Sequence, residues 1–128
     1  MMRVGIDLVR VSRIAESLEQ FGARFLNRVF TAGEIAYASA APALTTERLA
    51  ARFAAKEAAL KALGLAGRGV GWRDIEVLHG AVGPELRLHG AAAQAGAVEL
   101  ALSLSHEGDY ATAIVITQLA FTRTGIAA

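Results

Sequence analysis

Two carboxylates and a group of cations, far apart along a chain of 128 residues, are the side chains best suited to chemistry. Asp7 stands between Ile6 and Leu8 in the segment Met2 to Val9. That segment alternates as a strand does, with Val4, Ile6 and Leu8 on one side and Gly5, Asp7 and Val9 on the other. A carboxylate inside a strand of interior composition has two readings: it accepts backbone hydrogen bonds at a strand end, or it binds a hard divalent cation. Glu57 lies in the run RFAAKEAALKALG, residues 52–64, a strong helix with a sharp stop at Gly64. Placed at about 100° per residue, Leu49, Phe53, Leu60 and Leu63 share one arc, and Lys56 falls inside it. Ala51, Ala55, Ala58, Ala59 and Ala62 form the opposite side, a surface for close packing. Glu57 and Lys61 sit at the arc's edge, where a simple i,i+4 ion pair and a snorkelling Lys56 are the plainer readings. The functional reading is that the charges face a cleft. Magnesium is typically held by one or two protein carboxylates together with substrate phosphates. Asp7 and Glu57, with Arg52, Lys56 and Lys61 nearby, would suit a magnesium–diphosphate site.

The remaining chain must bring those distant residues together. Ser12 is positioned to cap a first helix carrying Ile14, Leu18, Phe21 and Phe25, interrupted near Gly22. Thr31 and Glu34 fit a capping box for a short helix through Tyr37. Pro42 belongs to a loop, and Thr45 or Thr46 is the expected cap of the long helix. Four glycines in residues 64–71, GLAGRGVG, predict a loop that is loose or lies close to something. Asp74–Leu78 and Glu85–Leu88 read as a strand pair, Ala91–Ala97 as a short helix, and Val98–Ser105 and Tyr110–Leu119 as two further strands. The expected fold is α+β: one compact domain over residues 1–119, with a mostly antiparallel sheet packed on a long central helix. A patternless tail is expected over 120–128.

Composition narrows the classes. With no cysteine there is neither a disulfide nor a thiolate metal site, so a metal would use oxygen or imidazole ligands. A net charge of +1 argues against a dedicated nucleic-acid binder. No run approaches the roughly 20 apolar residues of a membrane span, and no signal-peptide pattern opens the chain. A soluble cytoplasmic protein without membrane partners is the expectation. Alanine supplies much of the 54% apolar content, so oligomerisation is a natural way to recover missing core volume.

The motifs together resemble the 4′-phosphopantetheinyl transferases. Gly5-Ile6-Asp7 is followed by Arg13-Ile14, Arg24-Phe25, Phe30-Thr31-Ala32-Gly33-Glu34, Arg52 to Ala58 with Lys61, Trp72 to Val77, and Leu102-Ser103-Leu104-Ser105-His106. Single-domain length is similar to the holo-acyl-carrier-protein synthase group. The resemblance implies magnesium-dependent transfer of 4′-phosphopantetheine from coenzyme A to a serine of an apo acyl carrier protein, releasing adenosine 3′,5′-bisphosphate. It implies that Asp7 and Glu57 bind the metal, and that Lys61 contacts the phosphates and assists the leaving group. Arg52, Ser103 and His106 are implied as further coenzyme A contacts, with Gly64, Gly67 and Gly69 approaching the adenosine. Arg13, joined by Arg10, Arg24 and Phe25, is implied to dock the acidic carrier, although Glu16 and Glu19 share the same helix. A homotrimer with interfacial sites completes the picture, and the carrier belongs to fatty-acid biosynthesis or to a polyketide or peptide synthase. Lys56 has no settled role; one option is an ion pair that positions Glu57. The competing classes are a binding module without turnover and a different magnesium-dependent phosphoryl transferase.

Overall fold

The computed structural model describes residues 1–122 and 125–126. Strand β1 (Met2–Arg10) leads directly into helix α1 (Val11–Phe21), then α2 (Ala23–Val29), α3 (Ala32–Ser39), a 3₁₀ turn at Pro42–Leu44, and the long helix α4 (Thr45–Leu63). Beyond the glycine-rich loop come β2 (Ile75–His79), β3 (Pro84–Leu88), α5 (Gly90–Ala93), β4 (Ala97–Glu107) and β5 (Tyr110–Leu119). Short strands β6 (Phe121–Thr122) and β7 (Gly125–Ile126) pair with one another, and the remainder of the expected 120–128 tail lies outside the described residues. The main sheet has the order β1-β5-β4, antiparallel throughout, while β2 and β3 make a separate hairpin. The α+β class and the mostly antiparallel sheet on a central helix are as expected from the sequence.

Helix α4 lies across the inner face of the sheet with its alanines against the strands. Ala50, Ala54, Ala55, Ala58, Ala59 and Ala62 are fully buried. Alanine there removes side-chain thickness and costs little conformational entropy in a helix. Gly5 makes the approach possible from the strand side: a Cβ at that position would collide with the Ala58 carbonyl oxygen and stand 2.8 Å from the Ala62 nitrogen. Backbone meets backbone there. The consequence for β1 reverses what composition suggests, because the side carrying Gly5, Asp7 and Val9 faces the helix. Val4, Ile6 and Leu8 point outward, each about three-fifths exposed (59%, 61% and 63%).

Caps account for most differences at element ends. Ser12 does not cap α1; it lies in the first turn, where the Asp109 carboxylate accepts from its N–H (2.9 Å) and its hydroxyl (2.6 Å). The β4–β5 turn thus supplies from far along the chain the acceptor that an N-cap side chain would provide locally. Nor does Thr45 or Thr46 cap α4. Leu44 occupies the cap position, and the Thr45 hydroxyl donates instead to the Ala38 carbonyl at 2.9 Å. Local rules succeed elsewhere. The Thr31–Glu34 capping box is complete, Gly22 breaks the first helical run at φ 53°, and Gly64 ends α4 in the left-handed conformation at φ 70°. The helix expected over Ala91–Ala97 shrinks to four residues because the chain turns at Gln94 and Ala95 into β4.

Candidate active site

Asp7, Glu57 and Lys61 meet where β1 crosses α4. The Lys61 ammonium donates to the Ile6 carbonyl at 2.8 Å and lies 3.4 Å from Asp7 Oδ1. An ordinary i,i+4 pair with Glu57 is therefore not the arrangement; Lys61 reaches across to the strand. Burial pushes the Glu57 carboxyl above its ordinary range and the negative charge of Asp7 pushes it further, with Lys61 opposing. Two carboxylates with incomplete compensation form a hard-oxygen pair suited to a divalent cation. Among the described residues no group of three potential ligands assembles. Magnesium, which ordinarily keeps water and substrate phosphate in its coordination shell, fits a two-carboxylate site.

The adjacent residue has a different environment. Lys56 is fully buried and does not snorkel. Its ammonium pairs with Glu34 at 2.7 Å and donates to the carbonyls of Trp72 (3.1 Å) and Ile75. Glu34 is equally enclosed, accepting from Thr31 N–H (2.9 Å) and Val77 N–H (2.8 Å). Burial holds the Lys56 pKa below its ordinary value despite Glu34's opposing pull.

Arg52 lies apart from the three-residue cluster. It is buried against Tyr37, with its guanidinium 4.2 Å from the ring centroid and its burial lowering the pKa. Its Nε has no partner among the described residues. Together with Ser103, Tyr37, His79 and Pro84 it lines a cavity of about 490 Å³. His106 sits in a neighbouring cleft with Ser105 and Tyr110, its Nδ1 in contact with Glu47 at 2.5 Å. Gly64, Gly67 and Gly69 have φ values of 70°, 74° and 73°, and open space surrounds the position of an added Cβ at each. Glycine is required there by backbone conformation rather than by any close approach within the chain.

Arg10 and Arg13 are exposed at the start of α1. Arg24 and Phe25 border an apolar cleft of about 350 Å³ floored by Phe53 and Trp72, whose rings stack at 5.1 Å. Sequence reasoning missed Tyr37, held between Arg48, Arg52 and the ring of His79. It also missed Glu47 as the partner of His106. No local pattern distinguishes either from an ordinary helix residue.

A model of the 4′-phosphopantetheinyl transferase superfamily matches residues 3–115. The chain belongs to that superfamily. A holo-[acyl-carrier-protein] synthase of Carboxydothermus hydrogenoformans is 51% identical over 118 residues, covering 88% of this chain and 94% of that protein. The corresponding protein of Gloeobacter violaceus is 48% identical, covering 88% and 89%. Among solved structures, an ACPS–CoA complex from Chronobacterium ammoniagenes matches with a TM-score of 0.81 and 40% identity, covering 92% of this chain and 97% of that one. The Helicobacter pylori holo-[acyl-carrier-protein] synthase in complex with coenzyme A gives 0.80 at 28% identity, covering 90% and 99%. This transferase is an enzyme of the holo-acyl-carrier-protein synthase type.

Proposed function

We propose that this transferase moves 4′-phosphopantetheine from coenzyme A to a serine of an acidic apo acyl carrier protein, with Asp7 and Glu57 as its magnesium ligands. The observation that carries the site is the convergence of β1 and α4: two like charges from distant segments share one edge, with Lys61 beside them. A magnesium ion held there would neutralise the diphosphate and polarise the reacting phosphoryl group. Lys61 donates to the phosphate of the departing adenosine 3′,5′-bisphosphate and stabilises its developing charge. As the serine oxygen bonds to phosphorus and the pyrophosphate bridge breaks, the hydroxyl proton passes to Glu57 or to a water beside the two carboxylates. Arg52, Ser103 and His106 line the adjoining clefts on the coenzyme A side. The loop of Gly64, Gly67 and Gly69 presents backbone to the adenosine. Arg10, Arg13, Arg24 and Phe25 offer the carrier a basic rim around an apolar floor.

The exposed row Met2, Val4, Ile6 and Leu8, continued on β5 by Ile114 and Ile116, supports self-association through the outer sheet face. The family resemblance supplies the number three. No described helix is long and apolar enough to cross a membrane. Cytoplasmic fatty-acid biosynthesis is the setting this reading assigns. Incubation with magnesium, coenzyme A and apo carrier should add one phosphopantetheine mass to the carrier by mass spectrometry. Asp7→Asn and Glu57→Gln should each lower that transfer at least about 10²-fold, the scale of losing one charge-stabilising group. A carrier of unchanged mass with several acyl carrier proteins would overturn the reading.

A further inference from the structure

We infer that Lys56, together with Glu34, is a positioning residue: the buried pair fixes the roll of α4 and so aims Glu57 at Asp7. This inference rests on Glu57 serving the metal site proposed above. The alanine face of α4 permits close approach to the sheet but carries few large side chains to interlock with it. A smooth surface defines the distance between helix and sheet well and the rotation about the helix axis poorly. Rotation matters here. A helix is about 10–12 Å across, so a roll of about 20° sweeps a side-chain tip through roughly 2 Å. Magnesium requires near-ideal octahedral geometry, and a displacement of about 1 Å can cost on the order of 10²-fold in rate.

Directional polar contacts can supply what alanine lacks. The Lys56 ammonium has three acceptors, from three places: Glu34 on α3, Trp72 in the 3₁₀ turn at Trp72–Asp74, and Ile75 at the start of β2. Glu34 is fastened in turn to Thr31 and Val77. Lys56 is thus pinned at one azimuth, and Glu57, one residue on, is turned about 100° from it toward β1. Such a pair is weak evidence for stability, since apolar replacements of similar volume are often as stable; fixing register is the better-attested use of buried polar groups.

The test uses the full chain with Lys56→Met and Glu34→Gln combined. Methionine matches the lysine stem, and glutamine removes the buried charge while its one oxygen keeps either the Thr31 or the Val77 N–H, so that the other loses its acceptor. Wild-type transfer is measured against magnesium concentration first. If wild type shows no magnesium-dependent transfer, the functional reading falls before the inference is reached. Given that dependence, the folded double variant should need at least tenfold more magnesium for half-saturation, both of transfer and of binding to the resting protein by titration calorimetry, and show a tenfold or larger fall in kcat. A merely structural role would lower the active fraction and leave the magnesium half-saturation unchanged; that result overturns the inference. If the double variant does not fold, Glu34→Gln alone decides, because Lys56 keeps its two backbone acceptors. A threefold or larger rise in half-saturating magnesium supports the inference, and an unchanged value overturns it.

Discussion

Lys56 and Glu57 are neighbours on one helix, yet the fold treats them in opposite ways. Lys56 is sealed from solvent and all its hydrogen-bonding capacity is met by Glu34 and two carbonyls. Glu57 lies at the open seam between α4 and β1, beside the like charge of Asp7. Burial of a charge is tolerable where every donor has a partner, and such a group becomes part of the scaffold. An ionised group whose surroundings disfavour its charge is held ready for something the chain does not itself contain. The contrast separates the residue that builds the site from the residue that works in it.

That contrast is broken most severely at Lys56. Lys56→Met alone leaves the Glu34 charge buried without its cation, and the loss should be about 3–5 kcal/mol of stability, read from denaturant midpoints. Combining it with Glu34→Gln should recover only part of that loss, because the amide nitrogen leaves the Thr31 or the Val77 N–H without an acceptor. A single variant as stable as wild type would show that Glu34 already finds another partner.

The second effect acts on the distance between strand and helix. Gly5→Ala places a methyl group against the Ala58 carbonyl and close to the Ala62 nitrogen, neither of which can swing aside. The expected loss is about 1–3 kcal/mol or more, as for overpacked cores. Transfer should fall further than the folded fraction does, because Asp7 and Glu57 are moved apart. Denaturant titration alongside kcat checks both halves. Activity that tracks only the folded fraction would separate Gly5 from the site.

The smallest effect sharpens the comparison on the Glu57 side. Its carboxyl is raised above the ordinary 4.5 by burial and by Asp7. A carboxyl raised in the folded state binds its proton more tightly there than in the unfolded chain. Stability is therefore lost as pH rises from the ordinary carboxylate range through the folded value, and the loss persists at neutral pH. Glu57→Gln should remove that loss. Its Tm without magnesium should exceed wild type at pH 7 by a degree or so, and the difference should vanish as pH falls to about 4. Thermal melts across that range decide it, and a Tm gain that does not change with pH would point to packing rather than charge. Lys56→Met should show no such gain at pH 7, although both substitutions remove a charge from the same helix turn.

Much of this architecture was legible from local patterns. The alternation in β1, the Thr31–Glu34 capping box, the stop at Gly64 and the strand limits Tyr110–Leu119 all depend on residues a few positions apart. The caps of α1 and α4 were misassigned because their partners, Asp109 and the Ala38 carbonyl, come from elsewhere in the chain. The inward face of β1 is likewise set from outside the strand. Composition favours burying Val4, Ile6 and Leu8, but close helix approach demands Gly5 on the inner side, and the apolar row is left for another surface.

The amino-acid sequence alone determined the order and type of the elements, the family, and the set of side chains able to bind a dication and a diphosphate. The elements and the side-chain set follow from backbone propensity and residue chemistry acting within a few residues; the family follows from the order of short motifs along the whole chain. Only the tertiary structure decided that Lys61 reaches to Ile6 and Asp7 rather than pairing along its own helix, and that Lys56 is enclosed with Glu34. A charged side chain's partner is whatever the packed backbone brings within about 3–4 Å. That distance is set by how two distant segments meet, as Gly5 and the alanines of α4 meet here.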